Sequence, residues 1–277
     1  MTAKPDLAVA LSEVPERRAA PAGFDGRLVT RVHFGNEFCD RLIPSPARLQ
    51  KALDWAQSHG LTVSLATPGV TEDGLAQLCK LFPLLPEKSE VIVNDWGTAR
   101  LLCADFPTLE PVAGRQLCKM IKDPRLPSRS WRAVSPPGMR AGAFQAVLDR
   151  LGIRRLEADV PPLAAPEDFA PLGKRLSVHA AIGYATKGRV CKIGALARPR
   201  AEKFTAGLAC RRECLTFAAA MDRRAATADE PPTFQRGNTV FYHHTPAMTE
   251  ALHQATQRGW VDRIIIPGDW HGHHRAD

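Results

Sequence analysis

The pattern that most constrains the fold of this chain is the repeated alternation of short apolar runs with longer amphipathic segments. Helical apolar spacing after each short strand-like run is the signature of βα units. Eight such strands in 277 residues predict a (β/α)8 TIM-type barrel, whose functional groups would lie at the carboxyl ends of the strands. A doubly wound open sheet is the competing architecture. The predicted strands are residues 7–11, 28–34, 61–66, 90–94, 111–113, 155–158, 176–180 and 263–267, and the predicted helices are 46–59, 72–82, 98–106, 141–152 and 246–258.

The βα rhythm breaks after the seventh predicted strand. A long basic segment, residues 183–232, follows there and contains three of the seven cysteines. An insertion at this point would lie on the functional face of the barrel. Residues 239–243 (TVFYH) predict a further strand outside the barrel series. We therefore expect a single domain over 1–277, with 183–232 as a cysteine-bearing insertion and 268–277 as a mobile tail.

Four cysteines are arranged in a way that is typical of a metal centre. Cys39 follows the second predicted strand, and Cys191, Cys210 and Cys214 form a C-x18-C-x3-C run. Four thiolates suit an iron–sulfur cluster or a structural zinc ion, and the spacing alone does not choose between them. Four thiolates and no convincing ligand histidine favour a cluster over a catalytic zinc ion, which keeps an open coordination position.

The surroundings of the thiols lead to further expectations. Cys210 and Cys214 would share one face of a helical turn, and the basic residues Lys192, Arg211 and Arg212 would lower the thiol pKa values. Cys118 follows a predicted barrel strand and stays open as a replacement for Cys39 or as a reactive thiol.

Four polar residues stand at predicted strand ends: Glu37, Asp95, Arg115 and His179. In a barrel such positions face the pocket. Asp95 is expected to cap the helix that begins directly after it. Arg115 and His179 are the candidate catalytic residues, and Arg115 could hold a carboxylate of an anionic co-substrate through two parallel hydrogen bonds.

Composition narrows the class of protein. A net charge of +8 would attract nucleic acid, but the basic residues are spread along the chain and aromatic residues make up only 6%. No run of eighteen apolar residues predicts a membrane span, and the amino terminus has no signal-peptide pattern, which indicates a cytoplasmic protein. In that compartment the cysteines would be thiols or metal ligands. The sequence also contains no protease, Walker or dinucleotide-binding motif.

Several motifs, in this order, resemble those of the peptidase U32 (collagenase-like) family. Strand-end motifs of the family are matched by VHFGNEFC, NDWG and VAGRQL, with Cys118 in place of the usual Asn, and later motifs by VHA, GRVC and VDRIIIP. The likeness is greatest to a short branch of the family, the accessory subunits of the oxygen-independent hydroxylase of ubiquinone biosynthesis. The six matching motifs lie, in the same order, at residues 32–39, 94–97, 112–117, 178–180, 188–191 and 261–267.

The resemblance implies a [4Fe–4S] cluster held by Cys39, Cys191, Cys210 and Cys214. It also implies a heterodimer with a larger homologous barrel subunit and a hydroxylation that takes its oxygen from prephenate, an anionic co-substrate. The eighteen-residue gap is longer than in that branch. Two alternatives remain: a non-catalytic iron–sulfur partner that transfers electrons, and an RNA hydroxylation factor. Proteolysis is not expected.

Overall fold

The computed structural model describes residues 4–15, 27–133, 138–205, 209–221 and 230–268. Within these residues, eight parallel strands close into a barrel in which β1 pairs with both β2 and β12. The predicted (β/α)8 barrel is therefore confirmed. The barrel strands are β1 (Asp6–Leu11), β2 (Arg31–Gly35), β3 (Thr62–Ala66), β4 (Glu90–Val93), β5 (Glu110–Ala113), β6 (Arg155–Asp159), β7 (Arg175–His179) and β12 (Arg263–Pro267).

Helices follow most of the strands, and four of the helices begin with a side-chain cap. Asp95 Oδ1 accepts a hydrogen bond from the Thr98 N–H at 3.0 Å, as its position before a helix predicts. Thr245 caps the last helix in the same way, with a proline at its first position. The helices are α1 (Pro46–Ser58), α2 (Glu72–Cys79), α3 (Trp96–Asp105), α4 (Arg129–Ala133), α5 (Gly142–Arg150) and α6 (Pro246–Gln257).

The apolar core lies between the outer face of the barrel and the helices. Leu49 of α1, Leu102 of α3 and Leu148 of α5 are fully buried there. Each buried side chain of this size stabilises the fold by roughly 1.5–3 kcal/mol. The same burial orients the strands, because their alternate residues must then point into the barrel.

The amino-terminal end of the barrel interior is filled by an ionic layer. Glu90 accepts hydrogen bonds from Arg263 at 2.5 and 3.1 Å, and Arg31 and Arg155 lie 3.5 and 3.4 Å from its carboxylate. Burial alone would raise the pKa of Glu90, but Arg263 and the other arginines lower it to about 2. The layer joins four strands that are not direct neighbours in the barrel, β2, β4, β6 and β12, by charge.

A second, antiparallel sheet lies between β7 and α6 in the chain. Its strands are β8 (Ile182–Lys187), β9 (Ala219–Met221), β10 (Thr233–Arg236) and β11 (Thr239–His243), and they pair in the order β8-β11-β10-β9. The strand predicted at 239–243 is confirmed. Strands β8, β9 and β10 were not predicted, because each is short and lies among turn-forming and basic residues.

One expectation falls on a part of the chain that the structure does not describe. Residues 269–277, nearly all of the predicted tail, lie outside the described residues, as does most of the connection between the first two strands. No helix in the described ranges is long and apolar enough to cross a membrane. The cytoplasmic location stays a prediction.

Replacing Glu90 with Gln keeps the shape of the side chain but removes the charge that the three arginines share. We expect the free energy of unfolding to fall by about 3–5 kcal/mol, because buried cations would then lack their partner. Urea unfolding followed by circular dichroism measures it. Glu110→Gln, at an exposed position of β5, is the matched control and should change it by less than about 0.5 kcal/mol. Equal losses in the two variants would contradict this role of Glu90.

Candidate functional site

A sharp turn after β2 carries the chain across the carboxyl end of the barrel. Gly35 has φ +123°, and a Cβ at this position would lie 2.4 Å from the Ala66 carbonyl oxygen, so only glycine fits. Asn36 then accepts hydrogen bonds through Oδ1 from the N–H groups of Phe38 and Cys39, both at 2.9 Å. This turn places Cys39 at the mouth of the barrel.

The insertion brings the other three cysteines to the same place. Cys39, Cys191, Cys210 and Cys214 all line one cavity at this end of the barrel. Cys191 Sγ accepts a hydrogen bond from the Gly194 N–H at 3.3 Å. A Cβ on Gly194 would lie 3.4 Å from that sulfur and 3.0 Å from Cys210 Cβ, so the two cysteines approach each other across a glycine.

The insertion is fixed to the barrel by hydrogen bonds and aromatic packing. Asn238 Nδ2 donates to the Phe38 and Gly188 carbonyl oxygens, each at 3.0 Å. The Phe38 ring packs edge-on against Tyr184 and Phe241, with centroid separations of 5.1 and 5.2 Å. Cys39 and the insertion cysteines are therefore held in register by their neighbours.

The local structure around Cys214 differs from the predicted helical turn. A single 3-10 turn, Glu213–Leu215, follows Arg212, which has the left-handed φ of 62°. Arg236 of β10 donates to the Cys214 and Leu215 carbonyl oxygens at 2.7 and 3.3 Å and so holds the turn in place. Cys210 precedes this turn rather than sharing a helix face with Cys214.

The expected lowering of the thiol pKa values by basic neighbours is wrong for three of the four cysteines. Burial raises the pKa of Cys39 and of Cys191, and it raises that of Cys214 to about 12. Lys192 and Arg211 are exposed to solvent. Arg236, which the sequence analysis missed, is the cation that lowers the Cys214 pKa in part.

Arg115 lines the cavity and is hydrogen-bonded to two carboxylates. We call Arg115 and the charged residues grouped around it the cavity floor. Its Nε and Nη2 donate to Glu37 at 2.7–3.2 Å, and its Nη1 donates to Asp159 at 2.8 Å. Burial opposes the charge of Arg115, but Glu37 and Asp159 outweigh burial and raise its pKa. Lys122 Nζ lies 2.7 Å from Asp159 and 3.2 Å from the centre of the Tyr184 ring.

Burial and neighbouring charges together shift the pKa values of Lys122 and Asp159. Burial lowers the pKa of Lys122 to about 8, although Asp159 acts in the opposite direction. Burial alone would raise the pKa of Asp159, but Lys122 and Arg115 lower it to about 2. Asp159 is therefore the permanent negative charge between two buried cations.

Beside Arg115, two histidines flank one buried glutamate. His179 Nε2 lies 3.0 Å from Glu157 Oε2, and His33 Nδ1 lies 3.4 Å from Glu157 Oε1. Burial lowers the pKa of His179 to about 4 and that of His33 to about 3, and burial raises the pKa of Glu157. His179 thus belongs to the cavity floor, next to Glu37 and Arg115.

The cavity joins the thiols to the polar floor. It has a volume of about 100 Å³, and both the four cysteines and the residues Glu37, Arg115, Glu157 and His179 line it. The sequence-predicted residues are therefore brought together at one end of the barrel. A bound molecule in this cavity would touch sulfur on one side and charged groups on the other.

Sequence analysis missed Glu157, Asp159, Lys122 and His33. A signal was present in β6, where Arg155, Glu157 and Asp159 alternate with apolar residues. Alternate strand residues face the same side, so three charged side chains at this spacing indicate a polar barrel interior. Lys122 lies in an irregular segment after β5, and its sequence neighbours carry no such pattern.

Cys118, the alternative ligand to Cys39, is not among the residues that line the cavity of the four cysteines. It is 1% exposed, packs in the apolar core, and its Sγ lies 3.7 Å from the Ala113 carbonyl oxygen. Burial raises its pKa to about 12. Cys103, by contrast, is exposed on α3.

Comparisons with known proteins add little beyond the barrel. No protein-family model matches the chain, and no curated protein matches it in sequence. Among solved structures, the U32 peptidase Mk0906 is 13% identical, covers 96% of this chain and 94% of its own, and has a TM-score of 0.42. A chitinase, RmChi1 from Rhizomucor miehei, is 9% identical over 94% of both chains with a TM-score of 0.43. Similarities this distant give no information about the chemistry of this chain. The assignment of the barrel therefore depends on the strand pairing, and the U32 resemblance stays a prediction.

The difference between Cys118 and Cys103 can be tested by alkylation of the folded protein after metals have been removed. We expect iodoacetamide at pH 8 to modify Cys103 readily and to leave Cys118 unmodified, because reaction requires an accessible thiolate. Peptide mass spectrometry measures the modified fraction at each cysteine. Modification of Cys118 as fast as that of Cys103 would show instead that it is a reactive thiol.

Proposed function

We propose that this chain is an iron–sulfur protein and that it serves as a subunit of an oxygen-independent hydroxylase. The observation that carries the proposal is the convergence of Cys39, Cys191, Cys210 and Cys214 on one cavity. They come from three separate parts of the sequence. Four thiols that meet in this way at the carboxyl end of a barrel stand where such folds hold their functional groups.

The donor set suits a cluster, and a single zinc ion would require a tighter group of sulfurs. Thiolates are the usual ligands of both groups. Four sulfurs around zinc, each at about 2.3 Å, would lie about 3.8 Å from one another. Among the described residues, no three cysteines have their sulfurs within 4.8 Å of one another. A single zinc ion would therefore require the sulfurs to move closer together, whereas a cluster of several irons is larger and holds its thiolates farther apart.

The residues around the thiols suit a redox centre that is partly shielded from water. A [4Fe–4S] cluster supplies one-electron transfer when bound. Asn36 orients the Cys39 segment, and the Gly194 N–H donates to Cys191 Sγ. Hydrogen bonds to cluster sulfurs and burial are the two features with which a protein adjusts a reduction potential.

The hydroxylase role comes from the resemblance, and the cavity floor suggests how it would operate. Arg115 would bind a carboxylate of prephenate, and His179 would lie beside the bound molecule. Since Nη1 of Arg115 is held by Asp159, the incoming carboxylate would replace Glu37 on the Nε–Nη2 edge. A larger homologous barrel subunit would complete the enzyme as a heterodimer.

A second function has one specific observation in its favour. Arg115 is already bonded to Glu37 and Asp159, and two carboxylates on one guanidinium leave little attraction for an anion. A non-catalytic iron–sulfur partner, which transfers electrons to a second subunit, needs no anion site. The two functions share the cluster and differ in whether this chain binds the co-substrate.

The cluster can be tested by anaerobic purification with iron and sulfide analysis and electron paramagnetic resonance. We expect about four irons and four sulfides per chain, and a large loss of both in Cys39→Ser and Cys214→Ser. Cys103→Ser and Cys118→Ser are the matched controls and should retain the metal content of the parent protein. A protein without iron, or with one zinc ion per chain, would overturn the proposal.

The co-substrate site can be tested with Arg115→Lys, which keeps the charge but loses the planar pair of donors. If this chain binds prephenate, its affinity should fall by about 10-fold or more, because at least one charge-assisted hydrogen bond is lost. Isothermal titration calorimetry measures this, and Arg258→Lys on the surface is the control. An unchanged affinity, or no binding to the parent protein, would favour the electron-transfer partner.

A further inference from the structure

The floor of the cavity contains a second group of ligand atoms, separate from the thiols. Glu37, Glu157 and His179 each offer one atom, and the three atoms lie within 4.8 Å of one another. Glu37 comes from the turn after β2, Glu157 from β6 and His179 from the end of β7. Their side chains are 1–11% exposed.

The distances within this group fit a single metal ion. His179 Nε2 lies 3.0 Å from Glu157 Oε2 and 4.0 Å from Glu37 Oε1. Around an octahedral ion with bonds of about 2.1 Å, neighbouring ligand atoms lie about 3.0 Å apart and opposite ones about 4.2 Å apart. The side chains would therefore need only small adjustments to bind the ion.

An unsatisfied atom independently points to a missing ligand. Glu157 is 1% exposed, and its Oε1 has no hydrogen-bond partner among the residues that the structure describes. The hydrogen bond that the structure gives this carboxylate reaches His179 through the other oxygen. His33 is 3% exposed, with Nδ1 at 3.4 Å from Oε1, and its Nε2 also has no partner within the described ranges. Buried carboxylate oxygens in proteins are normally satisfied by donors or cations.

The charge around the group also favours a cation. Arg115 and Lys122 are the cations bonded to the carboxylates of the floor, and their contacts are with Glu37 and Asp159. Glu157 is the third carboxylate, and its contacts are with histidines. Glu37 can bind both Arg115 and an ion, because a carboxylate offers about four lone-pair positions.

We propose that Glu37, Glu157 and His179 bind a divalent first-row transition-metal ion. Two carboxylates and one imidazole suit Mn²⁺, Fe²⁺ or Zn²⁺, whereas copper(I) and iron–sulfur clusters prefer sulfur ligands. The site would lie in the same cavity as the four cysteines but would share no ligand with them. It goes beyond the proposed cluster and does not depend on it.

Mn²⁺ is the probe for this site, because it prefers oxygen and nitrogen ligands over thiolates. Free Mn²⁺ gives a six-line electron paramagnetic resonance signal that is lost on binding, and the experiment titrates the full-length, chelator-treated chain. We expect one Mn²⁺ per chain in the parent protein and at least a tenfold loss of affinity in Glu157→Gln. His179→Gln and Glu37→Gln carry the same test if Glu157→Gln does not fold by circular dichroism.

Two controls separate this site from the thiols and from the surface. Cys191→Ser should bind Mn²⁺ as the parent does even where it has lost its iron, so a missing cluster and a missing ion are distinguishable. Glu110→Gln, at an exposed position, should leave the affinity unchanged. Absence of Mn²⁺ binding at millimolar concentration, or equal affinity in the parent protein and all three floor variants, would overturn the proposal.

Discussion

Closure of the parallel barrel is the constraint on which the rest of this structure depends. β1 pairs with β12 from Asp6–Arg263 to Ala10–Pro267 and with β2 on its other side. Because all eight strands then run in one direction, their carboxyl ends form a single ring. The turn after β2, the end of β6 and the end of β7 therefore meet over one cavity. Without that closure, Cys39 and His179 would have no reason to lie near each other.

The barrel interior carries charge at both ends, and the two ends differ in how that charge is satisfied. At the amino-terminal end, both oxygens of the Glu90 carboxylate contact arginines, although Nε of Arg31 and Nε of Arg155 have no hydrogen-bond partner among the described residues. At the carboxyl end, Glu157 faces a cavity and has one oxygen with no hydrogen-bond partner in the described part of the chain. Strand β6 supplies both ends through Arg155 and Glu157. A buried carboxylate whose oxygens are both paired with cations stabilises a fold, whereas one with an unpaired oxygen beside a cavity can bind a ligand.

Much of the fold could be predicted from the sequence. All eight barrel strands lie within a few residues of their predicted positions, because each is a short apolar run and most are followed by a segment with helical periodicity. The sheet β8–β11 could be predicted only at β11, since the other strands are short and their pairing is non-local. The cysteine quartet was also readable from its spacing. By contrast, nothing local to Arg115 indicates that Glu37 and Asp159 bind it, because those contacts join residues distant in sequence.

The sequence by itself determined the barrel, the place of the insertion and the residue types of the site. Hydrophobic periodicity and the spacing of the cysteines are local properties, so they can be recognised in the sequence without the structure. Only the tertiary structure decided that the four thiols share a cavity with Glu37, Glu157 and His179, and that burial raises rather than lowers three thiol pKa values. Proximity between distant segments and the depth of burial arise from chain packing, and no short stretch of sequence encodes either one.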